Sequence, residues 1–129
     1  MDAEKFTKKS LEVIESCEKL AYEYNNQELT QAHLMYALVT VEDSLVAKLL
    51  TNMGINMEAF KGECEKLVAN RPKVSGGQLF TSPEFSKALI QAEKEAKQMG
   101  DDYISVEHIF LGLLEKADTD IKRVINAYG

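Results

Sequence analysis

The sequence predicts an all-α fold in which two pseudo-twofold-related four-helix repeats pack into one globular domain, the second repeat being truncated. Three observations predict it. The first is a duplication: Leu29-Thr30-Gln31-Ala32-His33-Leu34-Met35-Tyr36-Ala37-Leu38 returns as Ile104-Ser105-Val106-Glu107-His108-Ile109-Phe110-Leu111-Gly112-Leu113, and residues 10–54 lie on residues 85–129 without a gap. In that register Glu18, Lys19, Ala21, His33, Leu38, Asp43 and Gly54 meet Glu93, Lys94, Ala96, His108, Leu113, Asp118 and Gly129. So long an ungapped match marks a tandem repeat, and one such unit is too small to cover its own apolar stripes. The second is periodicity: apolar residues recur three and four apart, and no alternating run marks a strand. The third is a single break, Asn70-Arg71-Pro72-Lys73-Val74-Ser75-Gly76-Gly77-Gln78, where proline and paired glycines stop the helical rhythm. The domain therefore spans 1–129, with repeat one at 6–69, a linker at 70–79 and repeat two at 80–129.

The first helix runs over 7–24 on the face of Leu11, Ile14, Cys17, Ala21 and Tyr24; Thr7 caps it and Asn25-Asn26 ends it. Thr30 caps a short helix reaching about Val39, and Asp43 or Ser44 caps a third reaching Asn52. Gly54 stands where a left-handed stop is wanted, and Asn56 starts a fourth helix with the stripe Met57, Phe60, Cys64, Leu67 and Val68. Past the linker, Ser82-Pro83-Glu84 joins a cap, a proline at the first helical position and an acid at the positive helix end. Phe85, Leu89, Ala92, Ala96 and Met99 continue that face until Gly100 closes it. Ser105 caps the sixth helix, and Thr119 or Asp118 the seventh, which runs to Tyr128. The second copy stops at Gly129, the counterpart of Gly54, so the chain is expected to be a piece of a longer protein.

The 129 residues are 45% hydrophobic and 28% charged, an ordinary globular composition and too little chain for a two-domain enzyme. Net charge is −6 and evenly spread: nine cations face twelve acids in residues 1–75, six face nine in 76–129. That balance offers no basic face for nucleic acid. No apolar run is long enough to span a membrane, and Met1-Asp2-Ala3-Glu4-Lys5 is unlike a signal peptide, so a cytoplasmic location is expected. Cys17 and Cys64, each alone on an apolar stripe, read as reduced core thiols rather than a disulfide or zinc site.

The candidate chemistry is sparse. His33 and His108 each stand near the third position of a capped helix, and a repeated position implies a repeated structural task, such as bonding the loop backbone below the helix start. They become metal ligands only if the twofold axis brings them together. Asp101, Asp102 and Glu107 surround the start of the sixth helix, either as a solvated loop with favourable charge at a helix N-terminus or as a carboxylate cluster for a cationic or polar backbone partner. Tyr22, Tyr24, Tyr36, Met35, Met53 and Met99 fit a core at helical spacing, while Tyr103 lies in a loop beside the acids and is a candidate contact residue. No P-loop, G-x-S-x-G or Cys–His–acid pattern occurs, and Trp, common in sugar clefts, is absent. Neither a catalytic residue nor a metal site is assigned.

With repeat, linker and acids in view, the whole chain resembles the N-terminal domain of the Clp AAA+ ATPases. The resemblance rests on Phe6-Thr7, on Ala32-His33-Leu34 and Glu107-His108-Ile109, on Gly54-Ile55-Asn56, and most specifically on Arg71-Pro72-Lys73-Val74-Ser75-Gly76-Gly77. It is nearer the ClpB disaggregase branch than the protease-linked ClpC and ClpA unfoldases. It implies a module that captures unfolded or aggregated polypeptide for the ATPase ring, with ATP and magnesium held elsewhere in a hexameric full-length protein and this piece a monomer without a cofactor. It also implies that Thr7, Asp101 and Glu107 contact substrate and that Leu89 and Ile109 line an apolar groove, although Gln91 and Glu95 stand where some relatives carry leucines. Domains of the ClpC type that read phosphorylated arginine place glutamate before the histidine in both copies; here Ala32 replaces one of them, which disfavours that ligand. The alternative is a ClpC/ClpA-type domain docking an adaptor protein for a protease.

Overall fold

Capping side chains set where the helices begin, and the order follows the chain: α1 Lys8–Glu23, α2 Gln31–Thr40, α3 Leu45–Asn52, α4 Met57–Ala69, α5 Pro83–Gln98, α6 Val106–Glu115 and α7 Thr119–Ala127. The computed structural model describes residues 3–74 and 77–128; Ser75, Gly76 and Gly129, which the sequence marks as linker and helix stop, lie outside them. Thr7, Asn56 and Ser82 cap α1, α4 and α5 through their side chains as predicted. Of the two alternatives before α3, Ser44 is the cap: Asp43 sits at φ 55, and the Ser44 hydroxyl accepts from the Ala47 N–H at 2.9 Å. Before α7 the cap is Asp118, whose carboxylate accepts from Ile121 N–H at 2.9 Å. Gly54 and Gly100 have φ of 89 and 72, the left-handed geometry that ends α3 and α5.

The buried face of α1 is turned from the predicted one. Ser10, Val13, Cys17 and Ala21 point into the core, and Leu11 and Ile14 flank it half-buried. A serine can hold a core position because its hydroxyl donates to the Ile104 carbonyl at 2.8 Å. In the second half the inward residues are Phe85, Ala88, Leu89, Ala92 and Ala96. The three alanines let α6 come close: a Cβ added to Gly112 would lie 2.4 Å from the Ala88 carbonyl oxygen and 2.7 Å from the Ala92 nitrogen. At the centre is α2, which touches every other α-helix and buries eight side chains.

The halves clasp each other through exchanged arms. The segment before α1 bridges, in parallel, to the loop before α6 at Phe6 and Ile104; the segment before α5 does the same to the loop before α2. This second contact extends into a two-residue parallel pair, β1 Glu28–Leu29 with β2 Phe80–Thr81, in register Glu28 to Phe80 and Leu29 to Thr81. These are strands where the sequence predicts none. Two residues are too few to show alternation, and their partners lie about fifty positions away, so the hydrophobic pattern carries no trace of them. A further tie is one-sided. Gln31, fully buried, donates through Nε2 to the carbonyls of Glu84 (3.0 Å) and Lys116 (2.8 Å) and accepts from the Asp118 N–H (2.8 Å), whereas its counterpart is the apolar Val106. An apolar recess of about 140 Å³ lies between the halves, walled by the register pairs Met35 and Phe110, Leu50 and Ile125, and Met53 and Tyr128.

Candidate functional site

Gly100 ends α5, and the Asp101 N–H turns back to the Ala96 carbonyl at 2.9 Å. The loop is then held from two sides. Ile104 donates to the Lys5 carbonyl (2.7 Å) and its own carbonyl accepts from the Thr7 N–H (3.0 Å), so the N-terminal arm is pinned beside it. From α6, His108 Nδ1 lies 2.9 Å from the Ser105 N–H and Nε2 lies 2.8 Å from Asp101 Oδ2. A backbone N–H can only donate, so Nδ1 is the bare nitrogen and Nε2 carries the proton that Asp101 accepts. The histidine takes the role of the glutamate in a capping box and braces the loop as well.

His33 repeats this arrangement: Nδ1 accepts from Thr30 N–H at 3.0 Å, and Nε2 reaches Asn26 Oδ1 at 2.9 Å. Burial, and secondarily the charge of Arg71, lowers its pKa from 6.5 to about 4, so this ring is neutral. Both nitrogens of each histidine are engaged within their own half, and the twofold axis does not join the rings at a metal. Among the described residues no group of three or more His, Cys, Asp or Glu is arranged to hold an ion. Cys17 and Cys64 are fully buried; desolvation raises both thiols, Cys64 to about 12, and neither is a nucleophile in this fold.

Among the candidate contact residues, the arm and loop bring Thr7, Asp101, Tyr103 and Glu107 around Ile104. Asp101, Asp102 and Glu107 are exposed, and Tyr103 shows 57% of its surface. Thr7 is half-buried, and its hydroxyl is spent inside the domain, accepting from the Ser10 N–H (3.1 Å) and donating to the Ser10 hydroxyl (2.9 Å). Leu89 and Ile109 do not line an open groove. Ile109 has no exposed surface and Leu89 only 9%, because both point inward at the contact of α5 with α6. Gln91 and Glu95 bond to each other one turn apart on α5 at 3.1 Å, a polar pair where a groove wall is expected. Exposed apolar side chains form a row at Leu45, Leu49 and Met53 along α3, and Ile90 on α5 is exposed as well.

Sequence reasoning missed three positions. Arg71, read as linker and as part of the resemblance but given no partner, pairs with Asp120 at 3.0 Å across the two halves. Lys5 pairs with Glu93 at 2.8 Å, tying the arm to α5 and holding the glutamate below its usual range through that hydrogen bond. Gln31 stands in an apolar run where only its polar type marks it, and its partners are all backbone.

Fold and site define a class: a helical pair-of-repeats domain with an acidic loop braced by histidine. The sequence matches the Clp repeat (R) N-terminal domain over residues 5–128, and the chain belongs to that family. It is 40% identical to the chaperone protein ClpB of Nitratidesulfovibrio vulgaris, a match covering 99% of this chain and 16% of that protein. The chain thus spans about one sixth of the length of that curated relative. Its fold is that of the Hsp104 N-terminal domain from Candida albicans, with a TM-score of 0.86 at 22% identity over 97% of this chain and 82% of the other. A ClpV N-domain solved in complex with a VipB peptide has the same fold, with a TM-score of 0.77 at 17% identity over 98% and 80% of the two chains.

Proposed function

We propose that this domain captures unfolded or aggregated polypeptide for a ClpB-like, ATP-driven disaggregase. One observation carries the reading. The loop before α6 is rigidly braced from below by His108 and the N-terminal arm, yet presents Asp101, Asp102, Tyr103 and Glu107 outward. A rigid scaffold with an exposed aromatic and three exposed acids, of which only Asp101 is engaged by His108, can hold a passing chain by its basic and polar groups without any catalytic apparatus. The kinship to ClpB chaperones supports the wider role, and ATP and magnesium are assigned to the ring that such a module feeds. With few anchors and little desolvated surface, affinity is expected to be micromolar or weaker. Titrating the domain with a permanently unfolded protein and following backbone amides by NMR tests the site. Shifts should gather at Thr7, Asp101, Tyr103 and Glu107; a scatter over the surface that spares them refutes it.

A second reading, docking of a folded adaptor as in ClpC- and ClpA-type domains, draws on the exposed row Leu45, Leu49 and Met53. Capture from a cytosolic extract separates the two: one stoichiometric folded partner supports docking, and a broad smear of clients supports polypeptide capture.

A further inference from the structure

The two halves repeat each other around the histidine-braced loops but differ in what covers them. Thr7, Asp101 and Glu107 have the counterparts Ser82, Asn26 and Ala32. The first set is open or half-open; Ser82, Asn26 and Ala32 are buried, with Ala32 at 0% exposure. Part of the cover is the chain itself. Residues 71–74 run across the first loop as an extended strap, with Lys73 bridging antiparallel to Asn26. Val74 N–H donates to the Asn25 carbonyl at 2.8 Å, and Asn26 Nδ2 donates to the Pro72 carbonyl at 3.3 Å. Arg71 fastens the strap to Asp120.

On the second loop the matching carbonyl, that of Gly100, accepts no backbone hydrogen bond among the described residues. The side chains there also differ in charge: where the covered loop carries Asn26, Gln27 and Ala32, the open one carries Asp101, Asp102 and Glu107, and the single acid of the covered loop, Glu28, is matched by Tyr103. The strap that lies on the less acidic cleft carries two cations, Arg71 and Lys73.

We propose that residues 71–74 are a built-in occupant of one cleft, and that its uncovered twin takes an extended, basic polypeptide segment in the same manner. The incoming segment runs antiparallel to the loop at Asp101, donates a backbone N–H to the Gly100 carbonyl and places its cation among Asp101, Asp102 and Glu107. This deepens the polypeptide-capture reading, on which it rests, by naming the substrate class. The strap occupies the less acidic cleft because it is tethered there by α4, and a short tether supplies an effective concentration that a free chain lacks. One open cleft per domain follows.

The test is the strap in trans. A capped synthetic peptide of sequence Asn70-Arg71-Pro72-Lys73-Val74 is titrated against the 129-residue domain and followed by backbone NMR. It should shift Gly100 to Glu107 and the arm at Thr7, weaken with added salt, and bind about fivefold more weakly to the double variant Asp102→Asn, Glu107→Gln, whose side chains make no hydrogen bond or ion pair among the described residues. A peptide with glutamine in place of its arginine and lysine should leave these amides unmoved. Equal shifts from that neutral peptide, shifts elsewhere, or none at all overturn the proposal. If an unfolded protein moves the same amides while the strap peptide does not, polypeptide capture stands and the mode of docking falls.

Discussion

His33 is a buried base whose proton would have no place to go. Protonating Nδ1 removes the acceptor that Thr30 N–H requires, and burial, with Arg71 nearby, opposes the added charge. The unfolded chain binds that proton near pH 6.5, the folded chain only near 4, so unfolding takes up protons between those values. Stability from this ring is complete above pH 6.5 and is lost as pH falls toward 4, by up to about 3 kcal/mol. His33→Gln keeps an acceptor at the third helical position and removes the titration. Urea unfolding across pH 7 to 4.5 should show a shallower decline for the variant than for the parent; parallel curves contradict the assignment. Gln31 is the other informative residue. Gln31→Leu strands two carbonyls and one N–H at the joint between the halves, and urea unfolding at pH 7 should show a loss of about 2–4 kcal/mol. A change below 1 kcal/mol would mean that water replaces the amide.

Among the elements, α5 and α6 are packed with almost no spare room. Gly112→Ala must push its methyl against the backbone of Ala88 and Ala92, and backbone yields far less readily than a side-chain end. A loss of about 3 kcal/mol is expected by thermal or urea unfolding, although alanine is the better helix former. The duplicate position Ala37 already carries a methyl, so the reverse change there should cost only about 1 kcal/mol. The seven α-helices of the described residues and most of their caps could be read from the sequence, because Ser, Thr, Asn and Asp announce helix starts through their own short side chains. The rotated face of α1 could not, since Ser10 qualifies for the core only through a partner 94 residues away. The acids and Tyr103 were likewise legible as a polar loop at a helix start. Ile109 was not assignable to groove or core, because an apolar residue at helical spacing looks the same whichever neighbour it faces.

At the level of the whole molecule, the core runs through both halves and the arms cross between them, so neither half holds a complete set of contacts. Residues 77–129 alone should therefore show little helix by circular dichroism, and the full chain should unfold in one transition, with helix content and Tyr fluorescence changing together. Two separate transitions would show that the halves are independent.

Crossed arms of this kind have the form of a swapped homodimer whose two subunits have been joined end to end. A single unit would donate its leading segment to a second identical unit and receive that one's in return. Fusion makes the exchange intramolecular, removes its dependence on protein concentration, and leaves each copy free to diverge. The substitution of Asp101 and Glu107 for Asn26 and Ala32 is such a divergence, one that a symmetric pair of identical subunits has no means to make.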